Sequence, residues 1–237
     1  MSGGGVVAVV PIRGLASGKT RLAGELPPEA REALTRRMLR GVVGAALASG
    51  AVDAVAVVSP DPATLALAAE LDPAAVPLAQ DMAVPGLNPA IAAGRDWALG
   101  WGAATLLVLF GDLPLLVGHD VRRLLSPAAP VVLAPDRHGA GTNALVLRFD
   151  APDAVRFRFG FGAGSCPRHA AEAARLGLSV AISTAPGTAF DLDTPEDLRA
   201  LLEAEAWGAE LEHEEDASPD AASTPRDRFG SATESAA

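Results

Sequence analysis

The sequence VVAVVPIRGLASGKTRL, from Val6 to Leu22, indicates the fold of the chain. It opens with the apolar run 6–10, which is typical of a strand buried on both faces. Pro11 cannot donate a hydrogen bond to a neighbouring strand, so we expect the strand to end there. The loop that follows carries three cations, Arg13, Lys19 and Arg21. Because its glycines also allow a close approach of the backbone, this loop is suited to bind phosphate groups.

Two other interpretations of this loop stay open. Its end, from Gly14 to Thr20, is close to the P-loop pattern G-x-x-x-x-G-K-[ST], but three residues separate the glycines where that pattern has four. The loop could also be a solvated basic segment without a ligand. Lys19 is the only lysine of the chain, and an ammonium binds a phosphate differently from a guanidinium, which favours a specific role.

Composition limits the class of protein. The chain has 237 residues, of which 49% are hydrophobic, enough for a sizeable core. Its net charge of −10 argues against a general nucleic-acid partner. Cys166 is the only cysteine, so no internal disulfide can form and a reducing compartment is expected. With neither a signal-type segment nor an apolar run near the ~20 residues of a membrane span, the sequence predicts a cytoplasmic protein without a membrane partner.

Strand and helix patterns alternate along the chain. Short apolar runs typical of buried strands recur at 6–10, 52–58, 75–78, 105–110, 131–134, 144–147 and 179–182. Segments with helical spacing lie between most of them, so the sequence predicts an α/β, Rossmann-like domain over residues 1–205 with a mostly parallel mixed sheet flanked by helices. Residues 206–237 are acidic and poor in apolar side chains, and we expect them to form a disordered tail.

Three aspartates are candidates for a metal site. Asp112 follows the strand at 105–110, and ligands of open α/β sheets collect beyond the carboxyl ends of strands. Asp191 and Asp193 are two residues apart in a predicted extended segment, so both carboxylates should face one side. Carboxylate oxygens suit Mg²⁺, although Asp112 could also be a turn residue that bonds its own backbone. The next residues, 194–197, predict a capping box at a helix start.

Other polar residues have both structural and functional interpretations. Asn88 could cap a helix with Pro89 at its first position, or contact a base or ribose. Thr142 follows two glycines that suit either an anion site or a tight hairpin. Ser165 is a candidate N-cap whose helix start would bind an anion. We expect His169 to be hydrogen-bonded or exposed to solvent, and not an acid–base catalyst.

Motifs across the chain carry a family resemblance. They are P-x-[KR]-x5-K-[ST]-R-L, L-N-x-A, G-D-L-P, G-T-N-x-L, F-G-x-G-S-x-x-x-H and D-x-D-T-P-E-D-L, in this order. With them the chain resembles the 2-phospho-L-lactate or phosphoenolpyruvate guanylyltransferases of deazaflavin coenzyme 420 biosynthesis, from about Val6 to Leu202. The resemblance implies a GT-A-like nucleotidyltransferase fold. Arg13 and Gly18 depart from the lysine and alanine that are frequent in the family.

The resemblance implies a role for individual residues. Three cations would be catalytic beside the phosphates of GTP: Arg13, Lys19 and Arg21. The nucleotide would be contacted by Pro11, Arg13, Lys19 and, near the nucleoside, Asn88. One or two Mg²⁺ ions would be held by Asp112, Asp191 and Asp193. The phosphorylated three-carbon acid would be bound by Thr142, Gly162 and Ser165.

The implied reaction joins GMP from GTP to the phosphate of phosphoenolpyruvate or 2-phospho-L-lactate and releases pyrophosphate. The resemblance to bacterial members favours phosphoenolpyruvate, and the product is expected to pass to a transferase that acts on a deazaflavin precursor. Three alternatives stay open: another Mg²⁺-dependent nucleotidyltransferase that uses CTP or a sugar phosphate, a P-loop kinase or NTPase, and a GTP-binding regulatory protein without catalysis.

Overall fold

A seven-stranded sheet forms the centre of the protein, in a computed structural model that describes residues 4–203. Its strands are β1 (Val6–Pro11), β2 (Ala54–Ser59), β3 (Ala75–Ala79), β4 (Thr105–Leu109), β5 (Val131–Pro135), β6 (Thr142–Arg148) and β7 (Val180–Ile182). The strand order is β3-β2-β1-β4-β6-β5-β7. In the central strands, the apolar residues that face either side of the sheet are buried, which is the pattern of a sheet covered on both faces.

One strand reverses the direction of the sheet. Strand β6 pairs antiparallel with β4 and with β5, whereas the β1–β2, β1–β4, β2–β3 and β5–β7 pairs are all parallel. A hairpin loop at 136–141 produces the reversal, as one interpretation of this glycine-containing loop predicted. The start of β6 therefore lies at the same edge as the carboxyl ends of the other strands.

Helices cover both faces of the sheet. They are α1 (Pro28–Ala48), α2 (Pro62–Leu71), α3 (Leu87–Trp101), α4 (Gly118–Leu125), α5 (Ser165–Arg175) and the short α6 (Pro186–Ala189), with 3-10 turns at Thr20–Leu22 and Pro152–Arg156. Residues 195–203 are also helical, and we name them α7. Helices α1, α2 and α4 share one hydrophobic core with the sheet, and α3 and α5 share the other.

The predicted fold class is confirmed, with local corrections. Asn88 is not the N-cap of α3: that position is Gly86, and Asn88 lies inside the first turn. Ser165 is not the N-cap of α5 either, because Gly164 takes that place and Ser165 begins the helix. The segment 190–193 is not a paired strand. The exposure of its side chains still alternates, since Leu192 is buried and its neighbours on either side are partly exposed.

The domain boundaries are described only in part. Of the described residues, 4–198 group into one compact unit, and 199–203 are not part of it. The predicted domain end at residue 205 and the predicted acidic tail at 206–237 lie outside the described residues. Within residues 4–203, no helix combines the length and the apolar character that crossing a membrane requires.

Candidate active site

A lysine and two aspartates meet at the carboxyl edge of the sheet. Lys19 Nζ lies 2.7 Å from Asp112 Oδ2 and 3.0 Å from Asp193 Oδ1, and only 8% of its side chain is exposed. The loop after β1 supplies the lysine, and the loop after β4 supplies Asp112. The Leu192 N–H donates to the Asp112 carbonyl at 3.1 Å, so the segment before α7 is tied to the loop after β4. The three charges are therefore held together by backbone as well as by side chains.

The electrostatics keep Lys19 protonated. Burial by itself would lower the pKa of Lys19, but the Coulombic attraction and hydrogen bonds of Asp112 and Asp193 outweigh it, and the pKa is raised. Arg21 Nη1 lies 3.7 Å from Asp193 Oδ2, with 72% of its side chain exposed. Lys19 is thus an enclosed ammonium, and Arg21 is a solvated cation at the rim of the same site.

Asp61 holds the loop after β1 in place. Its Oδ2 accepts hydrogen bonds from the Leu15 N–H at 3.2 Å and from the Thr64 hydroxyl at 2.7 Å. Although burial acts to raise it, the pKa of Asp61 is lowered by these hydrogen bonds and by those from the first turn of α2. The backbone of Lys19 adopts φ 54° and ψ 37°, a left-handed conformation that is uncommon for a residue other than glycine. The loop after β1 is therefore held by the residue that caps the start of α2.

The third aspartate lies beside an asparagine. Asn143 Nδ2, at the start of β6, donates to Asp191 Oδ1 at 3.3 Å. Burial is the main cause that raises the pKa of Asp191, and repulsion by Asp112 and Asp193 adds to it. Asp191 therefore belongs to the same electrostatic field as the other two carboxylates. In residues 4–203, no three His, Cys, Asp or Glu side chains are grouped in a way that could hold a metal ion.

A capping box fixes the acidic segment, as predicted. The N–H groups of Asp193 and Thr194 donate to Asp197 Oδ2 at 2.8 and 2.7 Å, and the Asp197 N–H donates to Thr194 Oγ1 at 3.3 Å. Arg137, from the hairpin loop, pairs with the other oxygen of Asp197. Burial of Asp197 would raise its pKa, but Arg137 and these hydrogen bonds lower it. An ionised Asp197 therefore positions Asp193 next to Lys19.

His169 connects β6 to the glycine-rich segment at 157–164. The Gly160 N–H donates to His169 Nε2 at 3.0 Å, so Nδ1 is left as the donor to the Thr142 hydroxyl, 3.0 Å away. Burial, with a smaller contribution from Arg168, lowers the pKa of His169 to about 4. The ring is buried, neutral and bonded through both nitrogens, so its role here is structural.

Asn88 holds the same segment from the opposite side. Its Oδ1 accepts from the Phe161 N–H at 2.8 Å, and its Nδ2 donates to the Phe161 carbonyl at 3.3 Å. The Phe161 ring packs against Phe110, with 5.2 Å between ring centroids. Phe110 follows β4 directly, so the glycine-rich segment is packed against the loop that carries Asp112.

Two cavities adjoin these groups. A charged cavity of about 320 Å³ is lined by residues that include Arg13, Lys19, Asp112 and Asp193. An apolar cavity of about 520 Å³ lies toward β2 and β3. The residues that line both are Pro11, Ile12, Arg13 and Leu87. An elongated ligand with an apolar end and an anionic end would fit across them.

The sequence profile of the family described as guanylyl transferase CofC like matches residues 6–207. The chain belongs to this family. A phosphoenolpyruvate guanylyltransferase from Rubrobacter xylanophilus is 46% identical over 199 residues, which cover 83% of this chain and 93% of the relative. A protein of the same name from Sphaerobacter thermophilus is 44% identical over 197 residues, covering 82% and 91%. The predicted family and the predicted class of enzyme, a nucleotidyltransferase, are confirmed.

Solved structures agree on the fold of this guanylyltransferase. A candidate nucleotide-diphospho-sugar transferase from Desulfovibrio desulfuricans superposes with a TM-score of 0.66 at 19% identity, covering 83% of this chain and 85% of the other. A CMP:2-keto-3-deoxy-manno-octonic acid synthetase in complex with CTP gives 0.56 at 17% identity, covering 85% and 99%. These likenesses confirm the GT-A-like nucleotidyltransferase fold.

The predicted site residues of the guanylyltransferase form two groups. The first lies in or beside the charged cavity and contains Pro11, Arg13, Lys19, Arg21, Asp112, Asp191 and Asp193. The second surrounds the start of α5 and contains Asn88, Thr142, Gly162 and Ser165. In the second group, Thr142 and Ser165 are buried, and the Ser165 N–H donates to the Gly162 carbonyl at 3.1 Å. The ligands of both groups stay predictions.

Sequence reasoning missed the residues that position these groups. Asn143 donates to the predicted metal ligand Asp191, and Asp61 accepts from the Leu15 N–H in the loop that carries Arg13 and Lys19. The segment Ser59-Pro60-Asp61-Pro62 does carry a signal, because an aspartate before a proline is typical of a helix N-cap. Nothing local indicates that the same carboxylate also binds Leu15, which is 46 residues away.

Proposed function

We propose that this guanylyltransferase transfers GMP from GTP to the phosphate of phosphoenolpyruvate, with release of pyrophosphate, in deazaflavin coenzyme 420 biosynthesis. 2-Phospho-L-lactate is the alternative acceptor. The observation that carries the proposal is the pair of adjoining cavities with Lys19 enclosed at the charged end. The names of the relatives from Rubrobacter xylanophilus and Sphaerobacter thermophilus support the choice of acceptor.

The reaction needs no general base from the protein. An oxygen of the acceptor phosphate attacks the α-phosphorus of GTP, and the bond from that phosphorus to the oxygen bridging it to the β-phosphorus breaks. Pyrophosphate leaves with the electron pair of that bond. Because the attacking phosphate is already an anion at neutral pH, no proton has to be removed. The buried and neutral His169, bonded through both nitrogens, is consistent with such a mechanism.

Positioning and charge stabilisation are the contributions of the protein in this proposal. The nucleoside would occupy the apolar cavity, and the triphosphate would pass Arg13 into the charged cavity. Lys19, held between two carboxylates, would then neutralise the charge that develops on the phosphates. Since the ammonium is already enclosed and fixed, little reorganisation is required when the substrate binds.

Mg²⁺ is part of the proposal, with Asp112, Asp191 and Asp193 as its candidate ligands, although within residues 4–203 their carboxylates are not grouped as a ready-made metal site and Asp112 and Asp193 are paired with Lys19. The donor set fits a hard cation, which prefers carboxylate oxygens. Within the described residues, Asp112 Oδ1 is buried without a hydrogen-bond partner, as expected of an oxygen reserved for a ligand. When bound, the cation would offset the negative charge of the phosphates. A cytoplasmic location and a downstream transferase that accepts the product complete the proposed function.

The test is pyrophosphate release from GTP and Mg²⁺ with phosphoenolpyruvate, 2-phospho-L-lactate, 3-phosphoglycerate or no acceptor. The downstream transferase and its deazaflavin substrate are added so that a labile product is consumed. Release that depends on one three-carbon acid would support the proposal and identify the acceptor. Equal release with CTP, or release of the γ-phosphate in place of pyrophosphate, would instead favour another nucleotidyltransferase or a kinase.

A further inference from the structure

The apolar cavity offers few polar side chains to a ligand. It is formed by the ends of β1 and β2 and by the segment from Gln80 to Ala90. Among the described residues that line it, only Arg13 and Gln80 have side chains that can form hydrogen bonds. Arg13 also lines the charged cavity, where anionic groups would lie. Any recognition of a base edge by an uncharged side chain in this cavity therefore falls to Gln80.

The structure fixes which end of the Gln80 amide can face a ligand. Gln80 Nε2 donates to the Gly86 carbonyl at 2.8 Å and, more weakly, to the Val84 carbonyl at 3.5 Å. A carbonyl can only accept a hydrogen bond, so the NH₂ group has to be on this side. Both of its protons are directed at the protein. Within residues 4–203, Oε1 has no hydrogen-bond partner, and it remains as an acceptor with two lone pairs.

The backbone holds this residue at the cavity. The Gln80 N–H donates to the Ser59 carbonyl at 3.0 Å, which extends the β2–β3 pairing by one residue. The turn that follows is closed by the Val84 N–H, which donates to the Asp81 carbonyl at 3.2 Å. The orientation of the amide is therefore preset by the turn, and a ligand has to match it.

We infer that Gln80 makes the cavity selective for guanine, an inference that rests on the proposed function. The edge of guanine carries two adjacent donors, N1–H and the 2-amino group, and a single amide oxygen can accept from both. Adenine and cytosine instead present a ring acceptor next to an amino group, and Gln80 has no N–H left to pair with that acceptor. A site built to pair with donors discriminates against a base that leaves its acceptor unpaired.

Two substitutions separate base recognition from support of the turn. Gln80→Met and Gln80→Glu are close in size to glutamine, and both lose the hydrogen bond to Gly86. Only Gln80→Met also loses the acceptor, because the carboxylate of Gln80→Glu keeps acceptor oxygens. We expect the ratio of kcat/KM for GTP to that for ATP to fall by about tenfold or more in Gln80→Met. In Gln80→Glu this ratio should stay in favour of GTP.

The measurement is pyrophosphate release with phosphoenolpyruvate for each nucleotide, together with equilibrium binding of GTP and ATP to each variant. A GTP:ATP ratio that is unchanged in Gln80→Met, or lost equally in both variants, would overturn the inference and leave the proposed function standing. If the wild-type chain binds nucleotides but releases no pyrophosphate, the proposed function fails, and the binding ratios decide the inference by the same criterion. Absence of any nucleotide binding would overturn both.

Discussion

Lys19 is the residue on which the proposed chemistry depends most. We expect Lys19→Ala to lower kcat for pyrophosphate release by about a hundredfold or more, because an enclosed cation at the reacting phosphates is lost. Lys19→Arg should not restore full activity, since a planar fork cannot replace a compact ammonium between Asp112 and Asp193. Arg21→Ala should cost less than tenfold, because Arg21 is mostly exposed and farther from the carboxylates.

The control for these variants is the thermal melting temperature, which shows whether each one is folded. A folded Lys19→Ala chain with a kcat within a few-fold of wild type would contradict the role of Lys19.

For single residues, the sequence identifies the charged groups of the site better than the contacts that hold these groups in place. Lys19, Asp112 and Asp193 could be predicted because each follows a strand or precedes a helix at one sheet edge. The contacts that hold them could not, because their partners are distant in sequence. Asn88 and Phe161 are 73 residues apart, and Thr142 and His169 are 27 apart. The sequence allows Asn88 to be a helix cap or a nucleoside contact; in the structure it is not the cap, and its amide holds the Phe161 backbone, while the nucleoside contact stays a prediction.

Helix α3 lies very close to strand β1 at Gly94. A Cβ atom added there would lie 2.5 Å from Val9 Cγ1 and 2.8 Å from Val9 Cγ2. Val9 is fully buried and its β-branched side chain has little freedom to move. We expect Gly94→Ala to reduce the free energy of unfolding by about 1–3 kcal/mol, measured by urea denaturation.

Gly100, on the same helix, is the matched control. A Cβ atom there meets nothing within 4 Å, so Gly100→Ala should leave stability unchanged or raise it by up to about 1 kcal/mol. If the two substitutions have the same effect, the close approach at Gly94 does not limit the packing of α3.

The elements themselves follow closely from the sequence pattern. Each strand interval expected from an apolar run corresponds to an observed strand, with ends that agree to within two residues. The prediction was wrong for 190–193, where polar residues alternate around Leu192 as they do in a strand. This segment bonds to the Asp112 carbonyl, and the capping box begins immediately after it, so no second row of backbone bonds forms.

The stability of the whole molecule should depend on pH through His169. Above pH 6.5 this histidine is neutral in both the folded and the unfolded chain, and it adds no pH dependence. Between pH 6.5 and about 4 the unfolded chain binds a proton that the folded chain does not, because the folded pKa is about 4. The free energy of unfolding should therefore fall by about 1.4 kcal/mol for each pH unit lost in this window.

The check is urea denaturation of wild type and His169→Gln at pH 7, 6 and 5. The stability difference between the two chains should shrink as the pH falls, since only the wild type has the titrating ring. His119→Gln, at an exposed position of α4, should keep the wild-type pH dependence. Parallel curves for wild type and His169→Gln would contradict the buried neutral state of His169.

The antiparallel strand β6 separates the two proposed binding regions, which lie on different halves of one sheet. The cavity proposed for the nucleoside is built on β1, β2 and β3, and the residues predicted to bind the acid lie at the start of β6 and of α5. Apart from Arg137, which pairs with Asp197, the hairpin at 136–141 can change in sequence without altering any pairing among β1, β2 and β3. An ancestral enzyme could therefore have acquired a new acceptor by mutation of one half while it inherited its nucleotide donor unchanged through the other.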